Sequence, residues 1–183
     1  MAVQKTYTTV AEFESLIDRP ENDDRRFELI NGEIVEKVPT EAHGMYAANI
    51  VWGLKSYQRQ NGGRVIVEGR YRPEDDVHND RLPDASYTRA DHLQPLVTDG
   101  AVLHMPDLAV EIQSKNQSDQ FMLDKARYYL DNGAKMVWIV YRNHRVRVMT
   151  PTSNELLTPD DTIDGGDVLP GFTLAVRDIF STE

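Results

Sequence analysis

Residues 105–114 read MPDLAVEIQS, and the order of side chains in this stretch decides the fold. As an extended chain it points Leu108, Val110 and Ile112 to one face and Ala109, Glu111 and Gln113 to the other. Outward from it, residues 118–132 predict a helix with Met122, Ala126, Tyr129 and Leu130 on its apolar side and Gly133 at its end. Residues 137–140, VWIV, form a continuous apolar run, the mark of a central buried strand. Residues 145–149 alternate and pair back through a tight turn at Asn143-His144. Strand, helix and strand in this order predict an α/β domain, with residues 1–183 as one unit.

The N-terminal half supplies the flanking elements. Thr9 and Glu12 have capping-box spacing, and Phe13, Leu16 and Ile17 share one face until Arg19-Pro20 stops the helix. Residues 27–38 predict two strands around Asn31-Gly32, with Ile34, Val35 and Val38 as apolar members of the second. Residues 43–60 predict a helix whose inner face carries Ala47, Ile50, Val51, Leu54 and Tyr57, stopped by Gly62-Gly63. Residues 64–71 read as a strand, 73–83 as a polar loop, 84–87 as extended chain and 91–100 as a second loop. Beyond 150, residues 160–167 (DDTIDGGD) read as an acidic turn that lacks the ligand order of a calcium loop, and the chain ends in a short strand or helix.

Composition bounds the function. The chain has 183 residues, 40% apolar and 27% charged, the balance of a folded globular protein. It contains no cysteine, which excludes disulfides, thiolate metal ligands and a cysteine nucleophile. Residues 1–14 show neither the basic nor the apolar segment of a signal peptide, and no apolar run is long enough to span a bilayer, so the expectation is a cytoplasmic protein without membrane contact. The net charge of −10 argues against a surface held to nucleic acid by many phosphate contacts. The charge is uneven, however: residues 151–183 carry −6 and residues 125–147 carry +5, which allows a local basic face.

Two features break the pattern. Glu111 lies inside an apolar strand, and Pro83-Asp84 puts a carboxylate at the start of an extended segment. A buried carboxylate is costly unless paired, protonated or bound to a cation. Two acids meeting at the end of a sheet form a hard oxygen site suited to Mg²⁺ or Mn²⁺, which a lysine would complete; Lys115 and Lys125 are the candidates. From the residues alone, other readings stay open. Asp84 reads as a turn carboxylate after proline, Glu111 as half of a buried ion pair, Lys125 as a solvated helix lysine, and Glu28 as pairing across its hairpin. The five histidines show no metal-ligand spacing, and no glycine-rich phosphate loop or Gly-x-Ser-x-Gly elbow occurs, so nucleotide hydrolysis and serine-hydrolase chemistry drop out.

FELINGE (27–33), PT-EAHG, Pro83-Asp84, MPDLAVEIQS, Lys125 with Tyr129, GAKMVWIV (133–140) and LPGF (169–172) occur in this order. The series resembles the Uma2 family, also described as DUF820, of restriction-endonuclease-like proteins in the PD-(D/E)xK nuclease superfamily. The resemblance implies an α/β fold of mixed α+β character with a restriction-endonuclease-like core, a mixed β-sheet flanked by helices, and a Mg²⁺- or Mn²⁺-dependent endonuclease that hydrolyses DNA phosphodiester bonds by metal-activated water. It assigns Asp84 and Glu111 as metal-binding acids, with the backbone carbonyl of Ile112 as a further ligand. Gln113 stands where the superfamily pattern has lysine, and Lys125 is the substitute; both would act on water and phosphate. Glu28 and His43 match early positions that line the same cleft. Arg64, Arg70, Arg72 and residues 135–147 are the expected docking cations. A homodimer is the expected assembly, with an unidentified protein partner as a further expectation. The alternative function is a catalytically degenerate binding module, associated with mobile elements, that kept the nuclease fold.

Overall fold

The computed structural model describes residues 7–182, so the stretch read for a leader begins outside them. Thr9 caps α1 (Val10–Ile17), accepting from the Glu12 amide while the Glu12 carboxylate accepts from Thr9, the reciprocal capping box its spacing predicts. β1 (Arg26–Ile30) and β2 (Glu33–Lys37) form a separate two-stranded hairpin. Its turn has Asn31 at φ 50° and Gly32 at φ 76°, the left-handed pair that a two-residue hairpin loop requires. α2 (Glu41–Asn61) follows, with Thr40 as its cap.

The main sheet has six strands in the order β3 (Arg64–Val67), β4 (Ala85–Thr88), β5 (Leu108–Ile112), β6 (Met136–Val140), β7 (Val146–Met149) and β8 (Asn154–Leu157). β5 and β6 are parallel and every other neighbouring pair is antiparallel, so the sheet is mixed. The parallel pair is joined by α3 (Asp119–Asp131), which crosses over one face of the sheet. The period of two in MPDLAVEIQS then sorts the core. Leu108, Val110 and Ile112 pack with Ile50 and Leu54 of α2, while Ala109 packs with Met122, Ala126 and Tyr129 of α3. β6 divides in the same way: Trp138 and Val140 face α2, Val137 and Ile139 face α3. Two further strands, β9 (Thr162–Asp164) and β10 (Thr173–Ala175), pair with each other, and α4 (Val176–Ile179) ends the chain. No helix among the described residues is long and apolar enough to cross a membrane.

The structure departs from the sequence reading in four places. The strand expected over 64–71 stops at Val67, because Glu68 adopts φ 50° and breaks the ladder; Tyr71 instead bridges to Arg81 and Val102. The segment expected as a polar loop buries Asn79, Asp80, Arg81 and Leu82, since Leu29 and Asp80 exchange backbone hydrogen bonds, as do Tyr71 and Arg81. The acidic stretch 160–167 contributes β9, whose Ile163 is fully buried. In β2 the apolar Ile34 is exposed, as is Val38 just beyond it, while Val35 and Lys37 face inward.

Trp138 anchors the α2 face: it is fully buried, stacks on Phe172 at 5.7 Å between ring centroids, and donates its indole N–H to the Met136 sulfur. Trp138→Ala is expected to cost about 3–5 kcal/mol of stability. In urea unfolding this reads as a lower midpoint with an unchanged slope; a slope change as large as the midpoint change contradicts it.

Candidate active site

The carboxyl end of the parallel pair is where the acids collect. Glu111 is the next-to-last residue of β5, on the α3 face. Ala85 of β4 is registered against Val110, so one further step of the same ladder brings Asp84 alongside Glu111. Asp84, Glu111 and Glu28 are at most 2% exposed, and so is Lys125.

Lys125 projects from the second turn of α3 into this space. Its ammonium donates to Glu111 Oε2 at 2.7 Å and to Glu28 Oε1 at 2.8 Å. The Tyr129 hydroxyl, one turn further on, donates to Glu111 Oε1 at 2.7 Å, so both oxygens of Glu111 are held. Glu28 Oε2 is buried and has no hydrogen-bond partner among the described residues. The expectation that Glu28 pairs across its hairpin is corrected: its cross-strand neighbour is Val35, and its charge partner comes from α3.

Asp84 is held from three sides. Lys37, at the end of β2, donates to Oδ1 at 2.5 Å and to the Leu82 carbonyl at 2.7 Å. The Ile112 backbone N–H donates to Oδ2 at 2.6 Å, and His43 Nε2 lies 3.4 Å from the same oxygen. His43 is placed by the first turn of α2, where its amide donates to the Thr40 hydroxyl.

The two acids titrate in opposite directions. Burial works against ionisation of Asp84, but Lys37 and His43 outweigh it and hold this carboxyl well below the usual carboxylate range. Burial pushes Glu111 up, against the pull of Lys125 and Lys37. Burial also disfavours the Lys37 charge, yet Asp84, Glu111 and Glu28 together keep it protonated beyond the ordinary lysine range. The Tyr129 phenol is raised by burial, with Glu111 and Glu28 reinforcing it. At neutral pH Tyr129 is therefore a donor and Lys37 a cation.

Over this cluster opens a cleft of about 770 Å³, whose walls include Lys37, His43, Tyr46, Glu111, Ile112, Gln113, Ser114, Lys115, Phe121 and Arg142. Gln113 is in the wall but its amide is turned from the acids: it donates to the Gln117 carbonyl at 3.0 Å and to Asp119 at 2.7 Å, while its carbonyl accepts the Arg142 N–H at 3.4 Å. Lys115 is exposed on the rim and Lys125 is enclosed behind Glu111. The docking role expected of Arg70 and Arg72 is corrected by their ion pairs with Glu14 and Asp80.

The structure thus brings together Asp84, Glu111, Lys125, Glu28 and His43, and leaves Gln113 beside them. Lys37 is the residue that sequence reasoning missed. Its signal was the period of two, which puts it on the same face of β2 as the inward Val35. Tyr129 read as an apolar helix position, although a buried tyrosine needs a partner for its hydroxyl.

The donors that could hold a metal are hard carboxylate oxygens. No three such side chains already converge at coordinating distance among the described residues. Mg²⁺ ordinarily takes one or two protein carboxylates and fills its remaining positions with water and phosphate oxygen, so the pair Asp84 and Glu111 fits it chemically, with the unpartnered oxygen of Glu28 nearby.

Comparison with known proteins follows this geometry. A solved structure described as a "putative nuclease belonging to DUF820", from Anabaena variabilis ATCC 29413, superimposes with a TM-score of 0.77 at 25% sequence identity, covering 94% of this chain and 97% of that one. No curated protein matches the chain. The Uma2 family, described as "Putative restriction endonuclease", matches residues 10–177, a span that holds every residue of the cluster. The chain belongs to the Uma2 family.

Proposed function

We propose that the protein is a Mg²⁺- or Mn²⁺-dependent endonuclease that hydrolyses phosphodiester bonds of DNA in the cleft above Asp84 and Glu111. The observation that carries this reading is the meeting of those two acids at one end of the sheet, beneath a cleft, with the neighbouring oxygen Glu28 Oε2 left without a partner. Asp84, Glu111 and the Ile112 carbonyl are the ligands we assign. When bound, a divalent cation supplies Lewis-acid charge at the phosphate and eases loss of a proton from water.

The protein's own side chains do the rest. Lys37 and His43 keep Asp84 ionised and ready to ligate. Tyr129 and Lys125 fix both oxygens of Glu111, so its orientation is set before substrate arrives. Lys125, enclosed behind Glu111, acts as a positioning residue. Gln113 builds the wall between the end of β5 and the start of α3. The side-chain hydrogen bonds of Gln113 favour a second reading, a nuclease fold that binds DNA without cutting it, because the position of the motif lysine is engaged in holding the loop.

Calorimetric titration separates the two. Mn²⁺ should bind the wild type, and Asp84→Asn and Glu111→Gln should each weaken it by about tenfold or more and abolish metal-dependent cleavage of plasmid DNA. Unchanged affinity in both variants would falsify the metal site; binding without cleavage by the wild type favours the non-cutting reading.

Lys125→Met tests the positioning role. It leaves Glu28 and Glu111 buried without their cation, at an expected cost of about 3–5 kcal/mol at neutral pH. A carboxyl whose folded pKa is raised destabilises the fold above that pKa and ceases to do so as pH falls through it. The deficit measured by urea unfolding should therefore shrink on acidification below the raised Glu111 value. A deficit that stays constant with pH excludes an unpaired Glu111 as its cause.

A further inference from the structure

The cluster contains two inward-facing lysines, Lys125 buried and Lys37 partly exposed, and they are not equivalent. An ammonium has three donor hydrogens. Lys125 spends two on Glu111 and Glu28, and its head does not reach the cleft. Lys37 spends two on Asp84 and the Leu82 carbonyl, and it forms part of the cleft wall. Its third donor hydrogen has no partner in the hydrogen bonds of the described residues, and Lys37 lines the cleft next to the acid we assign to the metal. The motif position that carries lysine in the superfamily is Gln113, which has no charge to offer and whose amide is bonded to Gln117 and Asp119.

We propose that Lys37 is the lysine that binds a substrate phosphate in this cleft, supplying from β2 the charge that position 113 lacks. This rests on the phosphodiesterase reading above. Of the cluster's two lysines only Lys37 lines the cleft, so it is the one that a phosphate oxygen near Asp84 meets. Lys115 and Arg142, exposed on the rim, then contact phosphates further along the chain. Lys37 becomes a direct substrate contact, whereas Lys125 works through Glu111.

Removing Lys37 alone also unpairs Asp84, so the test is made where that carboxylate is already gone. Binding of a fluorescein-labelled DNA duplex is followed by anisotropy in EDTA over a range of KCl, for Asp84→Asn and for Asp84→Asn combined with Lys37→Met. Loss of one phosphate contact should weaken binding and make the slope of log K against log salt shallower by about 0.9. Lys37→Arg in the same background should restore the slope. Equal slopes and affinities with and without Lys37 overturn the proposal while leaving the metal site intact. The wild type gives an independent readout should the variants not fold. With [¹³C]lysine label, the Lys37 ε-methylene signal should move on titration with the duplex and that of Lys125 should stay. A stationary Lys37 signal in a bound complex overturns the proposal; no duplex binding at all overturns it together with the nuclease reading.

Discussion

The contact between Lys125 and the carboxylates Glu28 and Glu111 is the one on which the arrangement depends. Those acids come from a separate hairpin and from the inner strand of the main sheet, and the lysine comes from the crossover helix. Three pieces of chain that share few backbone hydrogen bonds are thereby joined at one nitrogen. Such a junction is costly to assemble, since each charge must leave water, and costlier to break, since the loss of one partner strands the others. It contributes definition more than net stability: the hairpin has one seat on the sheet in which Glu28 meets its cation.

Around that junction the sheet topology does the remaining work. Parallel pairing of β5 with β6 forces a long crossover, and α3 places Lys125 and Tyr129 one turn apart above the carboxyl end of β5. Antiparallel pairing of β4 with β5 brings the residue before β4, Asp84, to that same end. An apolar core of Trp138, Leu108 and Leu54 holds one face rigid, while the other face carries the charged cluster at its rim. The two acids end up side by side with different partners, one kept ionised by Lys37 and one raised by burial. Neighbouring carboxylates with divergent environments are what acid, base and ligand roles require.

Much of this was legible in the chain. Alternation in MPDLAVEIQS separates the two core faces, the Thr9 and Glu12 pair fixes the first helix, and Asn31-Gly32 fixes the hairpin, because each is a local signal with a local cause. Asp84 and Glu111 stood out as charges where burial was expected. The features that escaped depend on distant partners. Lys37 turns inward because Asp84, 47 residues away, accepts its hydrogen bond. Asp80 and Arg81 are buried because Leu29 and Tyr71 pair with a segment that has no strand pattern of its own. β8 and β9 are short and polar, and their pairing comes from neighbours more than from their own side chains.

The charge of the whole chain and the charge of the cleft pull in different directions. With a net charge of −10 the protein repels a polyanion at long range, so approach to DNA gains nothing from steering. Close contact is governed by other terms. Lys37, Lys115 and Arg142 line the cleft, against Glu36 and Glu111, and a divalent cation would add to the positive side. Salt screens exposed charges over about 8–10 Å at ordinary ionic strength, which mutes the repulsion of the distant acids far more than it mutes contacts made inside a cleft. An acidic chain can therefore hold a phosphodiester, provided its few inward cations are committed by the fold and not by the average charge of its surface. Lys37, held against Asp84 in the cleft wall, is the inward cation that the fold commits in this way.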